Sequence, residues 1–359
     1  MSRNYRPEVK VGIIVHHGAA RNGNEYLCYM ANAVLAATGN SPDGSSKSEY
    51  VVVSPQVYEK ADAGLNATTM IYWDEDGLDD DGPDDQNGAH DWKWGGDSTR
   101  DLPVGLSTFS VLDTFVREFS DKSVFPNLES VVVAGHSAGG QLVQRYALFN
   151  RVDSIGGWSS SSSYAHWHSA APKLDYVVAN PSSEAYLDGR RAVRDVKERT
   201  CDNLCDNSTL VNKRFDFQVP DKKGDDCTKA SYDYYGYGLD PSIPLPPYPS
   251  STGRSKAIAQ YGPRSVTYLA GLSDVCDYDF MTQNDCFGGI CNPDDGGLDT
   301  SCEAEVQGPC RLARLLAYKQ YVDLFYGKKT HDIVTVKFVG HSGCGMFQSQ
   351  EFRERFLER

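Results

Sequence analysis

Residues 130–141 read Ser-Val-Val-Val-Ala-Gly-His-Ser-Ala-Gly-Gly-Gln, and few arrangements suit such a run. The β-branched residues predict a buried strand, and the small residues after Ser137 predict a helix start. Gly135 and Gly139 flank the serine at the junction. A strand that turns at once into a helix must reverse sharply, and glycines leave the backbone room to do so. Gly135-His136-Ser137-Ala138-Gly139 thus predicts a serine hydroxyl exposed at the carboxyl end of a strand. The helix N-terminus beneath it favours negative charge.

The surrounding pattern fits this turn. Short apolar runs over 9–16, 50–57, 130–135, 155–158, 265–271 and 333–339 alternate with helical stretches, notably 106–119, 138–149 and 310–326. Apolar residues at Leu106, Phe109, Leu112, Phe115, Val116 and Phe119 recur at the three- and four-residue spacing of one helix face. The class expected is α/β, a mostly parallel central sheet with helices on both faces. Between 159 and 263 the character changes to a serine run, a Tyr-Pro tract and three cysteines. A connection that long is expected to cover something. The division expected is therefore a core of 1–158 and 264–359, with 159–263 inserted as a cap over the site.

A serine hydroxyl attacks carbonyl carbon only when a base removes its proton. With this turn the partners follow in the order serine, acid, histidine. Of the eight histidines, His341 alone follows the last expected strand, in Val339-Gly340-His341-Ser342-Gly343. It is the expected base, and activity should fall as acid protonates it. His331 precedes that strand and reads as a surface histidine. The acid should follow the strand at 265–271, which selects Asp274, with Asp277 and Asp279 next in line. Its task is to fix the imidazole tautomer and stabilise the imidazolium. The oxyanion donors expected are the amide of Ala138 and one from the loop His16-His17-Gly18-Ala19-Ala20, with Ala19 favoured over Gly18 or Ala20. His17 reads as a prop for that loop. Trp92 and Trp94 suit either the border of a pocket or ordinary core.

Composition removes several other functions. With 35 basic and 49 acidic residues the formal charge is −14, against the basic face that nucleic acid requires. No apolar run approaches the roughly 20 residues needed to cross a bilayer. The acidic stretch from Asp74 to Asp85 reads as a solvated loop, with a calcium loop as the alternative. As an EF-hand it fails, because Gly88 stands where a glutamate ligand belongs. Ten cysteines, mostly in Gly/Asp/Asn-rich segments after residue 200, read as disulfide staples in an oxidising compartment. Zinc is disfavoured, since Cys201-x3-Cys205 and Cys286-x4-Cys291 lack a matching second pair. Asn66-Ala-Thr68 and Asn207-Ser-Thr209 match the glycosylation acceptor pattern. With no cationic and apolar leader at its start, the chain reads as a mature secreted form. Neither a phosphate cradle nor an HExxH motif occurs, so no cofactor or metal is expected.

Several segments, taken in order, carry a resemblance: His17-Gly18 with Arg21-Asn22, Gly135 to Gln141 with Arg145-Tyr146-Ala147, Asn180-Pro-Ser-Ser183 with Tyr186-Leu187, Val266 to Leu269 with Asp274, and Gln307-Gly-Pro309 with Gly340-His341 and Met346-Phe347. Together they resemble secreted α/β-hydrolases of fungi and other eukaryotic microbes, over nearly the whole chain. The resemblance implies the α/β-hydrolase fold and the triad Ser137, Asp274 and His341. The expectation is a carboxylic-ester hydrolase. The alternatives are a peptidase or amidase on the same triad, and a non-catalytic binding protein of the same fold.

Overall fold

The computed structural model describes residues 5–40, 48–66, 68–74, 90–98, 105–152, 172–193, 210–220, 232–274 and 298–358. Among them the central sheet has six strands: β1 Val11–His16, β2 Tyr50–Val53, β3 Ser130–His136, β4 Lys173–Ala179, β7 Ser265–Gly271 and β8 Asp332–Val336. Their order is β2-β1-β3-β4-β7-β8, and every pair is parallel. Arg191–Ala192 (β5) and Phe217–Gln218 (β6) make a separate antiparallel pair. The α/β class with a parallel sheet between helices is therefore observed.

Helices cover both faces because each central strand is apolar on both sides. Along β3, Val131 and Val133 enter one core while Val132 and Ala134 enter the other, as the two-residue period of a strand requires. The first core is closed by α2 (Thr108–Phe119), α3 (Ala138–Phe149) and a later helix, Arg311–Tyr326. The second is closed by α1 (Gly23–Thr38) and the C-terminal pair Gly343–Gln348 and Gln350–Phe356. On α2, Phe109, Leu112, Val116 and Phe119 are buried, the face expected from their spacing. Each such side chain contributes about 1.5–3 kcal/mol by leaving water. Ser107 caps α2 by accepting the Phe109 N–H. In chain order the remaining helices are α4 (Pro247–Thr252), α5 (Arg254–Tyr261), α6 (Cys302–Glu305), α7 (Arg311–Tyr326), α8 (Gly343–Gln348) and α9 (Gln350–Phe356).

The structure departs from the sequence expectations at several points. β4 lies inside the interval expected to be a cap, yet it pairs with β3 on one side and β7 on the other. Lys173 and Asp175 had broken its apolar run; Asp175 is buried by accepting the Ser265 hydroxyl at 2.6 Å and pairing with Lys173. The interval 159–263 thus supplies a central strand as well as irregular chain. Helix α1 was not anticipated, and β2 ends at Val53, before Pro55. His331 is buried, not on the surface. It lies 2.9 Å from the Tyr268 hydroxyl through Nδ1 and 2.9 Å from the Tyr261 carbonyl through Nε2. The strand expected at 155–158, most of the acidic loop, the serine run at 159–163, Asn207, Asp277, Asp279 and Cys201, Cys205, Cys227, Cys276, Cys286 and Cys291 lie outside the described residues. Cys302 and Cys344 are disulfide-bonded, and Cys28 is an exposed free thiol. Among the described residues no helix is long and apolar enough to cross a membrane.

Candidate active site

Ser137 stands where β3 ends and α3 begins. Its backbone is at φ 58° and ψ −122°, a region L-residues rarely occupy, at a cost of roughly 1–3 kcal/mol. Close approach makes the flanking glycines obligatory. A Cβ on Gly135 would meet the Gly139 carbonyl oxygen at 2.1 Å, and one on Gly139 would meet the His17 carbonyl oxygen at 2.4 Å. Neighbouring strands hold the turn, since the Ser137 N–H donates to the Ala179 carbonyl at the end of β4 at 3.0 Å. The strain is over-determined by its surroundings, and it presents the hydroxyl at the carboxyl edge of the sheet.

His341 reaches that hydroxyl from the loop after β8. Its Nε2 is 2.8 Å from Ser137 Oγ, and its Nδ1 is 2.9 Å from Asp274 Oδ2. Asp274 comes from the loop after β7. All three side chains are buried, so the chain hydroxyl–imidazole–carboxylate lies out of bulk water. Three residues separated by 137 and 67 positions are thus brought within hydrogen-bonding reach of one another.

Two loops must stay in register for this, and the backbone holds them. The Leu272 N–H donates to the Val336 carbonyl, and the Ser273 N–H to the Val339 carbonyl, both at 2.9 Å. Asn180, after β4, joins them from a third side. Its Oδ1 accepts the Gly271 N–H at 2.8 Å, and its Nδ2 donates to the Gly340 carbonyl at 3.0 Å. Asn180 is at φ 42°, a conformation asparagine tolerates better than most residues. Sequence reasoning gave it no role of its own; the Asn180-Pro181 pair was the available signal.

Burial and charge set the protonation states. Burial alone would raise the Asp274 carboxyl, but the charges of His341 and Arg311 outweigh it and hold the group below the ordinary aspartate range. Burial, then the Arg311 charge, push His341 down to about 4, while Asp274 pulls the other way. The resting pair is therefore carboxylate and neutral imidazole, the state in which the ring can accept a proton.

The remaining expected site residues fall around this centre. Ala138 is buried at the first position of α3. In the loop after β1 Gly18 abuts the serine, where an added Cβ would lie 3.3 Å from Ser137 Cβ; Ala19 and Ala20 are exposed. His17 props that loop, with Nδ1 2.9 Å from the Gly18 carbonyl and Nε2 accepting the Val57 N–H at 3.0 Å. Trp92 and Trp94 are core residues, Trp92 stacking on His16 with ring centroids 5.2 Å apart. A second buried acid, Glu184, follows Asn180 in the same loop. Its backbone exchanges two hydrogen bonds with the Gln307 side chain, each at 2.9 Å. Its carboxyl oxygens accept none among the described residues, and burial raises the group to about 8.

No family model matches the sequence, and no curated protein does. Among solved structures, the chain is similar to poly(aspartic acid) hydrolase-1 from Sphingomonas sp. KT-1, at 19% identity and TM-score 0.48 over 96% of this chain and 87% of that one. It is similar to the poly(3-hydroxybutyrate) depolymerase LpqC from Bordetella parapertussis, at 18% identity and TM-score 0.47 over 96% and 78%. A more distant likeness is to the siderophore hydrolase EstA from Aspergillus nidulans, at 10% identity and TM-score 0.35 over 96% and 81%. The fold itself is carried by the parallel strand order and by the strained serine between β3 and α3. This is the α/β-hydrolase fold.

Proposed function

We propose that the chain is a serine hydrolase that cleaves a carboxylic ester through an acyl-enzyme. The observation that supports this is the continuous path from Ser137 Oγ through His341 to Asp274, at 2.8 and 2.9 Å. Ser137 Oγ attacks the acyl carbon as its proton passes to His341 Nε2. Asp274 orients the ring and stabilises the imidazolium. The amides of Ala138 and Ala19 hold the oxyanion, one at the N-terminus of α3 and the other in the loop whose Gly18 abuts the serine. His341 then protonates the departing alkoxide. Water, losing a proton to His341, attacks the acyl carbon; the bond to Ser137 Oγ breaks, His341 returns the proton to that oxygen, and the acid leaves.

The chain is further proposed to be secreted and to belong with the secreted microbial hydrolases it resembles. Support for an oxidising compartment comes from ten cysteines, with Cys302 and Cys344 in disulfides. Asn66 is exposed, with the Thr68 hydroxyl donating to its Oδ1 at 2.6 Å, and is the acceptor for glycosylation.

Turnover of p-nitrophenyl acyl esters, compared with peptide p-nitroanilides, tests the reading. The expected result is ester cleavage that falls about 10⁶-fold in kcat for Ser137→Ala. Preference for the anilides would make the chain a peptidase or amidase. Equal rates for wild type and Ser137→Ala would leave a non-catalytic protein of this fold.

A further inference from the structure

A second charge stands against the proposed acid. Arg311 opens α7, and it and Asp274 are only 2% and 1% exposed. Its Nη1 lies 3.6 Å from Asp274 Oδ1. That oxygen accepts no hydrogen bond among the described residues, while Oδ2 faces His341. The guanidinium is anchored, since Nε donates to Ser182 Oγ at 3.0 Å. The next amide of the helix, Leu312 N–H, donates to the Asp274 carbonyl at 3.1 Å. A serine–histidine–acid path needs no such cation. A buried cation behind the acid weakens the hold of that acid on the imidazolium.

We propose that Arg311 is a positioning residue that moves the acid limit of this site further down, by sharing with His341 a carboxylate that the imidazole would otherwise have to itself. The inference rests on the hydrolase reading above. His341 faces Asp274 from the loop after β7, Arg311 from α7, Ser137 from the turn after β3, and His136 from the end of β3, with ring centroids 4.6 Å apart. Tyr26, on α1, lies behind His136 with its hydroxyl 2.8 Å from Nδ1. Asp274 draws a proton onto the imidazole; Arg311, and less strongly His136, repel it, in the same direction as burial. The base therefore stays unprotonated in solutions more acidic than an isolated aspartate–histidine pair tolerates, at the cost of being a weaker base near neutrality.

The rate at which a fluorophosphonate modifies Ser137 tests this without knowledge of the substrate. The Ser137 Oγ–P bond forms, the P–F bond breaks, fluoride leaves and His341 takes the hydroxyl proton. In the wild type the rate should hold from pH 8 into the acid range, with its half-point at about pH 4. Arg311→Gln should move the half-point up by about one pH unit or more, and Arg311→Lys, which keeps the cation, should restore it toward the wild-type position. Ser182→Ala, which releases one anchor of the guanidinium, should move it the same way as Arg311→Gln by less. A purely structural role would lower the rate at every pH and leave the half-point fixed, which overturns the proposal. A wild-type half-point between about 6 and 7 overturns it as well. Should Arg311→Gln not fold, an unmoved half-point in Ser182→Ala does the same. No modification of Ser137 at any pH would overturn the hydrolase reading itself and this inference with it.

Discussion

Asp274 at the end of β7 and Glu184 in the loop after β4 are both buried carboxyl groups with arginines nearby, yet one is held ionised and the other neutral. Burial acts on both in the same direction. The difference lies in what the neighbouring cations are occupied with. Arg145 donates to the Gly236 and Gln141 carbonyls, each at 3.0 Å, and to Ser183 Oγ at 3.1 Å. Arg314 donates to the carbonyls of Gly308 and Asp299 at 2.8 Å and to that of Ser182 at 2.5 Å. Their charge reaches Glu184, but their N–H groups do not, so burial prevails there. At Asp274 a histidine N–H is in contact and Arg311 faces the second oxygen, so the charges prevail. A buried acid stays ionised where opposite charges stand directly against it, and charge at a greater distance does not replace them.

The same change of carboxylate to amide at the two acids should therefore have opposite consequences. Asp274→Asn should lower kcat by about 10⁴-fold, because an amide at that position favours the wrong tautomer of His341. Steady-state ester hydrolysis by a variant with wild-type circular dichroism checks it, and a loss below tenfold would break the contrast.

Glu184→Gln should leave hydrolysis near the wild-type rate and change stability instead. In the folded chain Glu184 keeps its proton up to about pH 8, whereas the unfolded chain releases it near 4.5. Its contribution is complete below the lower value and is lost as pH rises toward the upper one. Between pH 5 and 7 the wild type should lose roughly 2–3 kcal/mol through this group alone. Urea unfolding at both pH values, in wild type and variant, measures it. The variant's relative stability should rise with pH. A difference that is the same at pH 5 and pH 7 would place a proton-free carboxylate at Glu184.

A third change sharpens the comparison through geometry alone. Asn180 carries no charge, yet it ties the Asp274 loop to the His341 loop. Asn180→Ala should lower kcat by about 10²-fold with KM little changed, since loosening by an ångström is enough to cost that much. An unchanged kcat would mean that the Leu272–Val336 and Ser273–Val339 backbone bonds hold the two loops without Asn180.

How much of this was legible in the sequence varies with how local the signal is. The turn at Ser137 was legible because its demands are local: an apolar strand, two glycines and a helix start within a dozen residues. His341 and Asp274 followed from position, each just after a strand readable from its β-branched residues. β4 was lost because Lys173 and Asp175 interrupt it, and their partners, Ser265 among them, are remote. α1 was passed over although Tyr26, Met30, Ala33 and Val34 mark one buried face at helical spacing. His331 was misjudged because its place before β8 says nothing about the tyrosines that enclose it. Arg311 and Glu184 gave no local signal. A charged residue reads as solvated until the groups around it are known, and Ser182 lies 129 positions from Arg311.

On the proposed reading, His341 makes the Ser137 hydroxyl nucleophilic. Peptide mapping by mass spectrometry after fluorophosphonate treatment tests it most directly. One phosphonyl adduct on the peptide containing Ser137, absent from His341→Ala, is the predicted result. An adduct elsewhere, or labelling of Ser137 undiminished in His341→Ala, would contradict it.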